Sequence, residues 1–117
     1  MKIKSSELTG THLDWAVAKC EGDMVPDGGV MIQTWPFYST DWSQGGPIIE
    51  RERIKVAPNL GGTWLGQIRH ETTHPLVDKP VLAGWTNKHG PTPLVAAMRC
   101  YLVSKMGDEI EVPEALL

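Results

Sequence analysis

Two segments of the chain carry a helical spacing of apolar residues. Over residues 11–21, Leu13, Ala16, Val17 and Cys20 recur at three- and four-residue intervals and predict a helix that buries this stripe. Thr11 and Asp14 form a capping-box-like pair at its start, and Gly22 supplies its stop. Trp15 falls off the stripe, which places it at the edge of the core or over a neighbouring cleft. The second segment, residues 92–106, is the clearest signal in the chain. Thr92 stands as N-cap, Pro93 at the first helical position and Gly107 at the stop, and Leu94, Ala97, Met98, Tyr101 and Leu102 make the core stripe. Val95 and Arg99 fall one turn apart on another face.

Between these helices the pattern changes to that of strands. Residues 1–4 read as a short edge strand, and a turn around Pro26, Gly28 and Gly29 leads into a strand over 30–35. Over 48–56 the residues alternate, with Arg51, Arg53 and Lys55 on one face of an expected strand and Glu52, Ile54 and Val56 on the other. Three cations on one face suit a phosphate or, with Glu50 and Glu52 beside them, a solvated surface. Residues 63–69 and 80–87 read as neighbouring antiparallel strands joined by an exposed loop over 70–79. The fold class that follows is α+β: a small antiparallel sheet packed against two main helices, about 11–21 and 92–106, in a single domain spanning 1–117. The acidic tail from Asp108 lies along the surface or joins a neighbouring chain.

Composition narrows the function. A formal net charge of −3 argues against direct nucleic-acid binding through phosphate neutralisation. No run of eighteen apolar residues occurs and the first ten residues carry no signal-peptide pattern, so no membrane partner is expected and the protein stays in the cytoplasm. Cys20 and Cys100 are read as free thiols packed as small hydrophobes. Five tryptophans against one phenylalanine is an unusual inventory, because the indole offers both a stacking face and an N–H donor; at least one is expected to face a ligand or partner.

No catalytic template is complete. His70-Glu71-Thr72-Thr73-His74 matches H-E-x-x-H, but zinc chemistry needs both imidazoles on one helical face. Here Thr72 and Thr73 are poor helix formers and Pro75 disfavours helical geometry at His74, while neither His12 nor His89 is singled out as a third ligand. The paired glycines at 45–46 and 61–62 form no phosphate loop or dinucleotide fingerprint. Asp41 reads first as a capping residue and second as a general base. No cofactor, metal or enzymatic activity is expected.

Residues 35–53, WPFYSTDWSQGGPIIERER, read as an aromatic loop with no amphipathic period that covers a binding site. This segment is also part of a resemblance. The words KIKSSELTG and LDWAVAKCEG near the start, STDWSQGGPIIERE in the centre and GPTPLVAAMRCYLVSKMGDEIEVPEALL at the end resemble the NinX-like phage proteins, whereas residues 57–89 carry no recognisable family pattern. The resemblance implies a small cytoplasmic protein made in a bacterial host from an accessory region of a tailed phage or prophage, and implies no particular chemistry. The shared words suggest a pocket in which Tyr38, Asp41, Trp42, Gly45, Gly46 and Ile49 face Thr92 and Arg99. Trp42 or Tyr38 would stack a base, the glycines would admit close backbone approach, and the helix end with Arg99 would meet a phosphate. The expected function is a non-enzymatic binder, acting as a homo-oligomer, that sequesters a nucleotide-like small molecule such as an ADP-ribose derivative or cyclic nucleotide immune signal in counter-defence. A protein-interaction module and a small hydrolase using Asp41, Glu50 or the histidines are the alternatives.

Overall fold

The computed structural model describes residues 1–22 and 36–113. Its elements run β1 (Lys2–Lys4), a 3-10 turn (Ser5–Glu7), α1 (Gly10–Cys20), α2 (Trp42–Glu52), β2 (Lys55–Pro58), β3 (Trp64–His74), β4 (Val77–Gly90), α3 (Pro93–Met106) and β5 (Glu109–Glu111). The turn expected around Pro26 and the strand expected over 30–35 lie outside the described residues. The class is α+β, with an antiparallel sheet in the order β2-β3-β4 and a separate antiparallel pair, β1 with β5.

Everything is organised around α3. Thr92 caps it, its hydroxyl oxygen accepting from the Val95 N–H at 3.1 Å, and Pro93 occupies the first turn, where a missing N–H costs nothing. The expected stripe of Leu94, Ala97, Met98, Tyr101 and Leu102 is buried, but so are Val95, Ala96 and Cys100. The helix is therefore apolar nearly all round, as suits an element with the sheet, α1, α2, the 3-10 turn and β5 all in contact with it. Against the sheet the approach is very close. A Cβ on Gly66 would lie 2.5 Å from the Ala96 carbonyl oxygen, and one on Gly90 would lie 2.6 Å from the Ala96 nitrogen. Only glycine at both strand positions lets the helix backbone sit this low.

α1 forms as its spacing predicts, with Leu13, Ala16 and Val17 fully buried and Gly22 beyond its end at φ +81°. Trp15 is also fully buried, which contributes about 2–3 kcal/mol relative to exposure. Thr11 and Asp14 do not form a capping box: Thr9 is the N-cap, and Asp14 is buried, accepting a hydrogen bond from the Ser39 N–H at 2.8 Å. A carboxylate in the core is tolerable only with such partners.

The segment expected as an aromatic loop followed by a strand is instead a helix, α2. Asp41 caps it, its carboxylate accepting from the Ser43 N–H at 2.9 Å, and Ile48 is its buried anchor. Pro47 is accommodated because its missing N–H affects only the carbonyl of exposed Ser43, and because Gly46 before it has no Cβ to meet the proline ring. Gly45 packs where a Cβ would lie 2.4 Å from the Tyr38 carbonyl oxygen. The helix stops at Arg53, whose backbone is left-handed (φ 55°), so Arg51 leaves from a helix and only Lys55 from a strand.

The sheet is longer than expected. Residues 70–79 are not a loop; β3 and β4 continue through them to a turn at Pro75 and Leu76. The tail from Asp108 lies within its own chain: β5 pairs with β1, setting Glu111 opposite Lys2 and Glu109 opposite Lys4. Residues 114–117 lie outside the described residues.

Candidate functional site

One face of the β2-β3-β4 sheet lies on α3, and strand alternation sends every second side chain to the other face. There, register aligns Lys55 with Gln67 and Gln67 with Asn87, while Arg69 stands opposite Trp85. The Gln67 side-chain amide donates to Asn87 at 2.8 Å, and Trp85 remains 47% exposed. The C-terminal end of α2 meets this face. Arg53, Lys55, Gln67, Arg69 and Trp85, together with Glu52 and Glu71, line a groove of about 530 Å³.

The charges in the groove are unequally satisfied. Arg69 pairs with Glu71 at 2.8 Å, and Glu52 is engaged by Lys105 and Arg51, both at 2.9 Å. Arg53 and Lys55 have no ion pair among the described residues. Arg53 holds the left-handed position that ends α2, where glycine is the usual occupant, and a larger residue there is mildly strained.

Beside the groove lies a tighter network. Arg51 donates both terminal nitrogens to Glu21, at 2.9 and 2.7 Å, and the Tyr101 hydroxyl also donates to Glu21. The Arg51 hydrogen bonds hold the Glu21 carboxyl below its ordinary value, while Lys105 and then Arg51 do the same for Glu52. Burial, and then the bond to Glu21, push the Tyr101 hydroxyl up. This cluster ties α1, α2 and α3 together at their ends, with its donors and acceptors already matched to one another.

The residues expected to form a pocket are divided. Trp42, 55% exposed, and Thr92 meet across a groove of about 270 Å³ whose other lining residues include Ser39, Pro93 and Leu94. The remainder serve the fold: Tyr38 is buried, Asp41 caps α2, Gly45 fits against Tyr38, and Ile49 packs on the core. A Cβ on Gly46 would meet only open space outside its chain neighbours. Arg99 is turned inward, its Nε donating to the Leu8 carbonyl at 2.8 Å and its Nη1 to the His89 carbonyl at 3.0 Å. The small groove thus lacks the cation expected of a phosphate site, and the cations stand instead on the sheet.

The histidine pentad runs along β3, where a four-residue step covers roughly 13 Å in place of one helical turn. His70 Nε2 lies 2.6 Å from the Thr86 hydroxyl, and His89 Nδ1 lies 2.9 Å from the Asn59 amide. Both cysteines are free thiols, each pushed to about 11 chiefly by burial. Among the described residues no helix is long and apolar enough to cross a membrane.

An α+β chain built on one buried helix, with a cation-bearing sheet face left open, can be placed by comparison. Residues 4–105 match the family described as bacteriophage P22 NinX, and the chain belongs to this family of phage proteins. The match includes residues 57–89, where the sequence words carry no resemblance, so the groove-forming strands lie inside the family's span. No curated protein matches the chain.

Proposed function

We propose that this phage protein binds a nucleotide-like anionic small molecule, without turning it over, in the groove on the open face of the sheet. The observation that carries this reading is the convergence of Arg53 and Lys55, neither paired among the described residues, with Arg69 and an exposed Trp85. Arginine and lysine meet phosphate oxygens, the indole face stacks a base, and the Gln67–Asn87 amides offer donors and acceptors to a base edge. The groove's volume suits a mononucleotide-sized ligand. The strained backbone at Arg53 supports the same reading, because strain held at a charged side chain points to a use for that side chain. In a phage protein, sequestration of an ADP-ribose derivative or cyclic nucleotide immune signal, as counter-defence, is the use that fits a binder of this chemistry.

Native mass spectrometry with a panel of ADP-ribose derivatives and cyclic nucleotides tests the proposal. An intact adduct is the expected result, weakened at least about tenfold by Lys55→Ala or Trp85→Ala. Arg53→Gly separates binding from folding: it should relieve about 1 kcal/mol of backbone strain, raising stability, while weakening the adduct. A ligand released with altered mass would make the protein an enzyme. Adducts with none of the panel, or adducts indifferent to all three substitutions, would remove this groove as the site.

A further inference from the structure

The β3–β4 hairpin continues past the body of the protein. Glu71, Thr72 and Thr73 are consecutive and all exposed, as are Asp78, Lys79 and Pro80 on the returning strand, so at these positions neither face of the ribbon is covered. β2 pairs with β3 only as far as Gln67, which leaves the outer stretch without a third strand among the described residues. The ribbon ends at Pro75 and Leu76, with Leu76 88% exposed, and Leu82 is 56% exposed along its flank. A two-stranded hairpin alone in water is marginally stable, so an ordered ribbon of this kind gains from a surface to lie on. Its charged residues, Arg69, Glu71, Asp78 and Lys79, balance, which argues against a nucleic-acid groove and for a neutral, apolar seat.

The same chain carries such a seat. The groove of about 270 Å³ between the starts of α2 and α3 is walled by Trp42, Pro93 and Leu94 and lined by no charged side chain. It has room for one branched side chain and part of the turn that bears it. Ser39 lines the groove at 1% exposure, and its hydroxyl has no hydrogen-bond partner among the described residues. Buried hydroxyls are normally paired, so the groove suits an occupant that brings a carbonyl oxygen together with an apolar side chain. A β-turn led by proline and leucine brings both.

We infer that the ribbon tip at Pro75 and Leu76 seats in the Trp42–Leu94 groove of a second copy of this chain, and that the exchange is reciprocal. Knob and hole lie on one molecule and match in size, polarity and hydrogen-bonding need, so a second copy is the partner for which both features are accounted for at once. Reciprocity closes the assembly as a two-fold dimer, with each interface residue used twice. A single tip is too small an area for a stable interface, and two tips with their ribbon flanks supply the rest.

Light scattering on size-exclusion fractions of the full chain, over a wide concentration range, tests this inference without reference to any ligand. The wild type should be dimeric. Leu76→Asp should weaken the dimer by about 100-fold or more, since each dimer loses two buried leucines. Trp42→Asp should do likewise, and because an acidic residue favours the first turn of a helix, a dissociated variant should remain folded by circular dichroism. A wild type that is monomeric throughout, or a dimer indifferent to both substitutions, would overturn the inference.

Discussion

Replacing Gly66 or Gly90 with alanine tests whether α3 is held against the sheet by backbone proximity. In Gly66→Ala the new Cβ would lie 2.5 Å from the Ala96 carbonyl oxygen and 2.8 Å from its carbon, both backbone atoms, so no flexible side chain can yield. Ordinary contact begins near 3.4 Å, so the helix must retreat by about 0.9 Å. That helix carries Leu94, Met98, Tyr101 and Leu102 into the core, and overpacking of a well-filled core costs about 1–3 kcal/mol. Against a domain of this size, 2–3 kcal/mol lowers the melting temperature by roughly 10 °C. Gly90 presses on the same residue, its added Cβ lying 2.6 Å from the Ala96 nitrogen. One retreat of the helix therefore relieves both clashes, and the double variant should cost about 1–2 kcal/mol less than the two single costs together. Thermal and urea unfolding of the four proteins gives the comparison. Full additivity, or a Gly66→Ala protein that melts within a degree or two of the wild type, would show that the helix is not seated as described.

Asp14→Ala should destabilise by about 2–4 kcal/mol in chemical denaturation, because it strands the buried Ser39 N–H that Asp14 now accepts from. Glu21 is held below its ordinary value in the fold, chiefly by Arg51, so it contributes stability above the ordinary carboxylate pKa and loses it as pH falls through the depressed value. Glu21→Gln should accordingly flatten the acid limb of a stability-against-pH profile below about pH 4.5, with little change in slope near neutrality.

Legibility in the sequence followed how local the determining interactions are. Thr92, Pro93 and Gly107 act within a turn of their own positions, so the bounds of α3 could be read directly. Its burial on every side could not, because only assembly decides how many neighbours surround a helix. α2 was obscured by Gly45, Gly46 and Pro47, which read as breakers; their reasons are a close approach to Tyr38 and an avoided clash before proline, and neither is a property of the local pattern. The Asp41 cap was the one available signal for that helix. The outer ribbon is not legible in the sequence because its described residues are exposed on both faces, and without a buried face there is no alternation to find, although Thr72 and Thr73 favour strand. In the candidate groove, Arg53 and Lys55 were visible as cations, but Arg69 and Trp85 join them only through the register of β3 on β4. Arg99 looked like a free cation on a helix face and is consumed by the carbonyls of Leu8 and His89, from segments far apart in the chain.

The position of α3 in the chain has a consequence for biosynthesis. The helix on which the sheet, α1 and α2 all pack begins only at Pro93, and the strand that closes over β1 begins later still, at Glu109. As the chain emerges from the ribosome, residues 1–92 carry Leu13, Trp15, Val17, Ile48 and Ile68 with no helix to cover them. Local hairpins and turns can form in that interval, but the core cannot condense. Folding is thus deferred until α3 and β5 have emerged, and until then the nascent apolar surface is a natural load for chaperones.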